Sequence, residues 1–265
     1  GNLLGRYALG GNIDASATSG WNGGAGFQPL GNNITPFKGS LDGLGHTLDG
    51  LNIHGPATYT VLGLFGWTNG ASFHNVGLSN ASVSGVGQVA ILVGEMNGGT
   101  IQNSYTTGNV TGTTGTGFAS NVGGLIGTGF NLTVDQSYSS AAVSGSRSGS
   151  FGGLVGGLYG STVTNSSASG SVSATAISNA AGLIGYLSGS TVTNSSASGN
   201  VTATAAYSEV GGLIGLAQQA TVSTSHASGN VIAGGNSSDV GGLVGFSDGS
   251  GGSGLSLSAS YALGS

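Results

Sequence analysis

Apolar residues return along this chain in sets of three. The first of each set is a leucine, inside a Gly-Gly-Leu-Ile/Val-Gly phrase at Leu125, Leu154, Leu213 and Leu243, its AGLIG form at Leu183, and looser versions, LGLFG and AILVG, at Leu64 and Leu92. Nine residues later stand Phe73, Ile101, Val134, Val163, Val192 and Val222. Nine or ten beyond those stand Val83, Val110, Val143, Val172, Val201 and Val231. Successive leucines are separated by as few as 28 residues (Leu64 to Leu92) and as many as 33 (Leu92 to Leu125). The extra residues fall between landmarks, which is how stacked strands with variable connecting loops behave.

The units are dense in Gly, Ser, Thr and β-branched residues and show no 3.6-residue apolar period, so helices are excluded and short strands expected. One unit then makes one coil of a parallel β-solenoid, with equivalent residues stacked in columns about 4.8 Å apart. Seven such coils give a rod of about 35 Å, with the phrase as the first strand of each. The register predicts an inward amide ladder at Asn75, Asn103, Gln136, Asn165, Asn194 and Thr224. It places His226 in a column with Tyr105, Tyr138, Ser167, Ser196 and Tyr261, as a packing residue rather than a ligand. Gly108, Ala141, Gly170, Gly199, Gly229 and Gly264 form a column suited to positive φ or close backbone approach.

Residues 1–60 break the pattern. They carry Tyr7, Trp21, Phe27 and Phe37, and the segment FKGSLDGLGHTLDGLNI at 37–53 alternates apolar residues around Gly-rich turns. This predicts an N-terminal strand-rich cap, continuous with a solenoid over 61–265, that covers the apolar end of the stack. At the other end, residues 257–265 repeat the second-strand pattern and stop one residue before the expected valine, so a chain cut within a unit is expected.

Composition narrows the function. Only 3 Lys and Arg and 8 Asp and Glu are present among 265 residues, net charge −5. With Arg6, Lys38 and Arg147 as the sole basic residues, no phosphate-neutralising surface exists, which argues against nucleic acid and anionic membrane as partners. There is no cysteine, so thiolate metal sites are excluded. The first residues lack the charged and apolar regions of a signal peptide.

The phrase VGGLIG followed by TVTNSSASGNVTA resembles the GLUG repeat of large bacterial surface proteins. The stretch YALGGNIDASATSGWNGGAGFQPLG, with FKGSLDGLGHTLDGLNI after it, is similar to the segment preceding such repeats in filamentous-haemagglutinin-like adhesins. The resemblance implies a right-handed parallel β-helix of about seven GLUG-type coils, secreted or displayed at the cell surface. It also implies export through an outer-membrane two-partner secretion pore, and adhesion to glycans or proteins of a host cell or biofilm. Similar repeats lie beside zinc peptidase domains in immunoglobulin A1 proteases, but no His-Glu-x-x-His occurs here, so that activity is not carried over.

Candidate chemistry is sparse, and a non-catalytic protein without a cofactor is expected. Of the eight acids, the register pairs only Glu209 and Asp239, in a column otherwise made of Gln88, Asn121, Ser150 and Asn179. Stacked carboxylates raise one pKa or recruit a cation such as Ca²⁺; a solvated polar column explains the same residues more simply. The Asp42–His46 segment reads as an Asx-type turn rather than an acid–base pair. His54 and His74 have no neighbour at ligand spacing. Outward Thr162, Thr164, Thr191, Thr193 and Thr221 form a hydroxyl ladder that suits sugar binding or ice binding, or simply keeps a charge-poor solenoid wet. A β-helical polysaccharide-active enzyme is a further alternative. Asn-x-Ser/Thr sequons include Asn165 and Asn194, poor acceptors if their side chains point inward. The insertions at Thr113–Ser120 and Ser247–Gly254 are the loops where a binding function has room to vary.

Overall fold

A computed structural model describes residues 2–117, 119–249 and 254–264. It is a parallel β-solenoid of about 8 turns with almost no helix. Every ladder between named strands is parallel, and equivalent residues of successive units are in register. One column runs from Arg6 through Ser40, Ser72, Thr100, Thr133, Thr162, Thr191 and Thr221 to Ser256. The N-terminal residues thus belong to the stack: Arg6–Ala8 pairs with Ser40–Asp42, which pairs with Phe65–His74. A 3-10 segment at Ser16–Gly24 lies beside this first coil.

The three apolar landmarks form three internal columns. Leu125, Leu154, Leu183 and Leu213, Val134, Val163, Val192 and Val222, and Val143, Val172 and Val201 are all buried. Each contributes about 1.5–3 kcal/mol by burial. At the N-terminal end the core turns aromatic. Phe37 and Phe65 centroids lie 4.6 Å apart and Phe65 and Phe73 centroids 4.8 Å apart.

The strand assignment is finer than one strand per landmark. A representative coil contains Ser178–Ala181, Ile184–Ser188, Thr191–Thr193, Ser196–Ala197 and Val201–Ala203. The Gly-Gly-Leu-Ile/Val-Gly phrase is not a single strand. It straddles a corner: Gly152 ends one strand, Gly153 and Leu154 bend, and Val155 opens the next. The corner packs tightly, since a Cβ on Gly153 would sit 2.2 Å from the Gly182 carbonyl oxygen.

The expected inward amide ladder is overturned. Asn75, Asn103, Gln136, Asn165, Asn194 and Thr224 have φ of 53°, 50°, 48°, 51°, 49° and 51°. They occupy an outer corner, and all but the half-buried Asn75 are exposed. A left-handed residue breaks the two-residue alternation of a strand, so the next residue turns inward instead. Asn tolerates that conformation better than most. The inward residue is Val76 after Asn75 and a serine after each of the other five, and serines, not amides, form the buried polar ladder. Backbone N–H groups of Val76, Ser104, Ser137, Ser166, Ser195 and Ser225 donate to Oγ of Ser104, Ser137, Ser166, Ser195, Ser225 and Ser260 at 3.1–3.2 Å. Each of those hydroxyls donates to the carbonyl two residues earlier at 2.7–2.9 Å. A corner that cannot complete a strand ladder thereby satisfies its backbone groups.

The His226 column also faces outward. Tyr105 and Tyr138 stack at 5.1 Å, as do His226 and Tyr261. His226 packs, as expected, but on the outer surface. In the glycine column only Gly108 has positive φ (126°); a Cβ on Gly199 would lie 1.9 Å from the Gly170 carbonyl oxygen, so close approach is the operative reason there.

Candidate functional site

Function on such a rod resides in outward columns, because the inward ones are filled. Thr162, Thr191 and Thr221 stack in one column and Thr164 and Thr193 in the next, on one sheet face. Their hydroxyls are partly engaged: Thr164 Oγ1 donates to Asp135 Oδ1 at 2.8 Å, and Thr193 and Ser223 hydroxyls are 3.1 Å apart. Beyond Thr164, that second column continues through Asp135, Gln102, His74 and Asp42. The face is a mixed polar surface at its N-terminal end and a hydroxyl lattice only toward the other.

Glu209 and Asp239 are in register on adjacent coils. Burial raises the Glu209 carboxyl above its usual value, and the Asp239 charge adds to this. Among the described residues no group of three or more His, Asp or Glu stands ready to hold a metal ion. The pair offers two carboxylates where Ca²⁺ takes six to eight oxygens. Asn165 and Asn194 are exposed at the corner, not buried, and Asn194 Nδ2 donates to Asn165 Oδ1 at 2.7 Å. Asp42 accepts from the Leu44 backbone N–H at 2.9 Å, the Asx-type turn expected there. The Thr113–Ser120 insertion is held by Arg147, whose guanidinium donates to the carbonyls of Gly115 and Gly117. Its Phe118, and residues 250–253 of the other insertion, lie outside the described residues.

A groove of about 560 Å³ runs along the rod between the Asn121–Ser150–Asn179 column and the aromatics Phe130, Tyr159 and Tyr186. Phe130 and Tyr159 are in register and stack at 4.9 Å; Tyr186 sits diagonally above, 5.3 Å from Tyr159. Gly157 occupies the position that carries Thr128 on one side and Tyr186 on the other, so the groove floor has no side chain there. Asn121 Nδ2 donates to Thr128 Oγ1 at 2.9 Å and the Tyr186 hydroxyl donates to Gln218 Oε1 at 2.7 Å, which hold both walls in place. The sequence signal was present, with Phe130 and Tyr159 each five residues after a phrase leucine and Tyr186 three after, but the aromatics alternate with other residues and do not form a repeat.

In the column that carries Thr128 and Gly157, Glu95 lies in register between Trp67 and Thr128. Burial pushes its carboxyl up to about 7. A carboxyl whose folded pKa exceeds its unfolded value of 4.5 stabilises the fold fully below about pH 4.5, and that stability is lost as pH rises through 7. Asp42 and Asp135 act oppositely. The Leu44 backbone N–H, then Asn75, lower Asp42, and Asn165 with Thr164 lowers Asp135. Their contributions are present above their usual 3.8 and lost only in stronger acid. The protein is therefore expected to be more stable at pH 5 than at pH 8. Chemical denaturation of Glu95→Gln should show most of that difference gone; an unchanged pH dependence would contradict the assignment.

Comparison with known proteins bears on the repeat. Three segments match the GLUG motif. They are residues 148–173, 177–202 and 206–232, three consecutive coils. Over 146 residues, 53% of the chain, the sequence is 47% identical to halomucin of Haloquadratum walsbyi, of whose length the chain spans 2%. The fold is similar to a crystal structure of a candidate immunoglobulin A1 protease from Bacteroides ovatus, with a TM-score of 0.68 and 23% identity, covering 97% of this chain and 78% of that one. At that identity the likeness is one of fold.

Proposed function

We propose that this chain is a rigid β-helical segment of an extracellular surface protein, acting by length, stiffness and the side chains it displays, without catalysis. The observation that carries the reading is the unbroken register from Arg6 to Ser256, reinforced by buried serine ladders. A stack in which each coil pairs with its neighbours resists bending and local opening. The GLUG matches and the likeness to halomucin support a surface location. Adhesion to glycans or proteins of a host cell or biofilm, and export through a two-partner secretion pore, belong to the same reading. Antibodies raised against the segment are expected to label intact cells of the producing organism. Labelling only after permeabilisation would contradict it.

Ice binding through the threonine face is the second reading, favoured by the Thr162–Thr191–Thr221 column. Engagement of Thr164 by Asp135 weighs against a free hydroxyl lattice. Measurable thermal hysteresis would decide for it. Turnover of a polysaccharide that vanished in Glu209→Gln or Asp239→Asn would decide for an enzyme.

A further inference from the structure

We propose that the groove between Asn121, Ser150 and Asn179 on one side and Phe130, Tyr159 and Tyr186 on the other binds an uncharged polysaccharide chain laid along the rod axis. The inference deepens the surface-protein reading and rests on it for access to such a ligand.

Sugar rings present apolar C–H faces and a rim of hydroxyls. They are recognised by flat aromatic surfaces beside a few fixed hydrogen-bonding groups, the general make-up of a small-molecule site. This groove supplies both. Tyr159 and Tyr186 are half-buried and keep part of each ring open to the groove. Opposite them, the side chains of Ser150 and Asn179 make no hydrogen bond to another described residue, so those side-chain polar atoms are available to a ligand. The bare Gly157 position between Thr128 and Tyr186 leaves depth for a ring. Polar wall residues recur once per coil, about every 4.8 Å. That spacing is close to the advance per residue of an extended pyranose chain, so successive rings meet successive coils.

Charge selects the class. No lysine or arginine lines the groove. Glu95 lies in the column at one end, and Glu209 and Asp239 continue the amide column at the other. An anionic polymer would meet negative charge at both ends and nothing to neutralise it. A neutral chain meets hydroxyl, amide and aromatic groups throughout.

The test is isothermal titration of the purified chain with three neutral hexasaccharides, cellohexaose, xylohexaose and laminarihexaose, and with an alginate hexamer as the anionic comparison. At least one neutral hexasaccharide should bind, with the alginate hexamer at least about tenfold weaker. Tyr159→Ala should weaken binding about tenfold or more while Tyr159→Phe retains it, since the ring and not the hydroxyl does the stacking. Gly157→Leu should block the groove. Saturation transfer from the tyrosine ring protons to the sugar reports contact in the unmodified chain, independently of whether any variant folds. The proposal is overturned if no neutral hexasaccharide binds at millimolar concentration, or if alginate binds as tightly. It is also overturned if a folded Tyr159→Ala binds like the parent, or if Thr191→Val on the other face abolishes binding where Tyr159→Ala does not. Surface labelling and groove binding fail separately: a protein confined inside the cell with an intact sugar site refutes the location, and a displayed protein without one refutes the groove.

Discussion

Gly185→Val is expected to lower the thermal midpoint by roughly 10 °C or more, or to prevent folding, from a cost of at least about 3 kcal/mol. The last glycine of the phrase is the one position that is glycine in all seven units: Gly66, Gly94, Gly127, Gly156, Gly185, Gly215 and Gly245. The first position admits Ala181 and the second Ile91. The structure explains the difference. A Cβ on Gly185 would lie 2.6 Å from the Phe151 backbone nitrogen and 2.8 Å from the Gly156 carbonyl oxygen, both in the preceding coil. Moving either atom means displacing a neighbouring coil, and with it a ladder that continues along the rod. At the first position the nearest clash is local: a Cβ on Gly152 would lie 2.0 Å from the carbonyl oxygen of Val155, three residues on in the same coil, with the Gly185 backbone nitrogen and the Leu183 carbonyl oxygen of the next coil farther off at 2.8 Å. Ala181 stands in that column and shows that such a contact relaxes. Calorimetry on Gly185→Val beside Ala181→Gly is the check. The second should lose only about 1 kcal/mol, the worth of a buried methyl group, and equal losses would refute the inter-coil argument.

Ser195→Ala is expected to cost about 2 kcal/mol, more than most loop substitutions in a chain of this size. Ser195 is buried; its Oγ accepts from the Ser166 backbone N–H at 3.2 Å and donates to the Thr193 carbonyl at 2.9 Å. Alanine removes both bonds at once. It leaves the buried Ser166 N–H facing a methyl group instead of the hydroxyl. Denaturant titration measures the loss, and hydrogen exchange locates it: the Ser166 amide should lose protection while the Val192 amide, in a regular strand, keeps it. A variant as stable as the parent would show that the serine ladder is ornament rather than support.

Both residues illustrate what the sequence discloses and what it withholds. Coil length, apolar columns and register are legible because burial repeats them: Val134, Val163, Val192 and Val222 had one environment each and one residue type to fill it. The Glu209–Asp239 pairing followed from the same register. The direction of side chains past a corner was not legible. A strand's alternation carries Val163 in, Thr164 out and Asn165 in, and only the left-handed φ of 51° at Asn165 turns Ser166 inward instead. Repetition could not reveal this, because Asn and Ser both recur in register and both suit either place. The groove was hidden for the opposite reason. Tyr159 and Tyr186 stand at different offsets from their leucines and come together only diagonally, across coils and beside the missing side chain of Gly157.

The central claim is that the outer columns are straight, evenly stepped lines on a rigid rod, and electron–electron dipolar spectroscopy measures that directly. The chain has no cysteine, so nitroxides placed by Ser72→Cys with Ser256→Cys, and by Thr100→Cys with Thr221→Cys, report single pairs. The first pair spans six register steps, through Thr100, Thr133, Thr162, Thr191 and Thr221; the second spans four. Narrow distributions are expected, centred near 29 Å and 19 Å and differing by about 10 Å whatever the label linkers contribute. Broad distributions, or two distances that do not differ by two coil steps, would contradict the account.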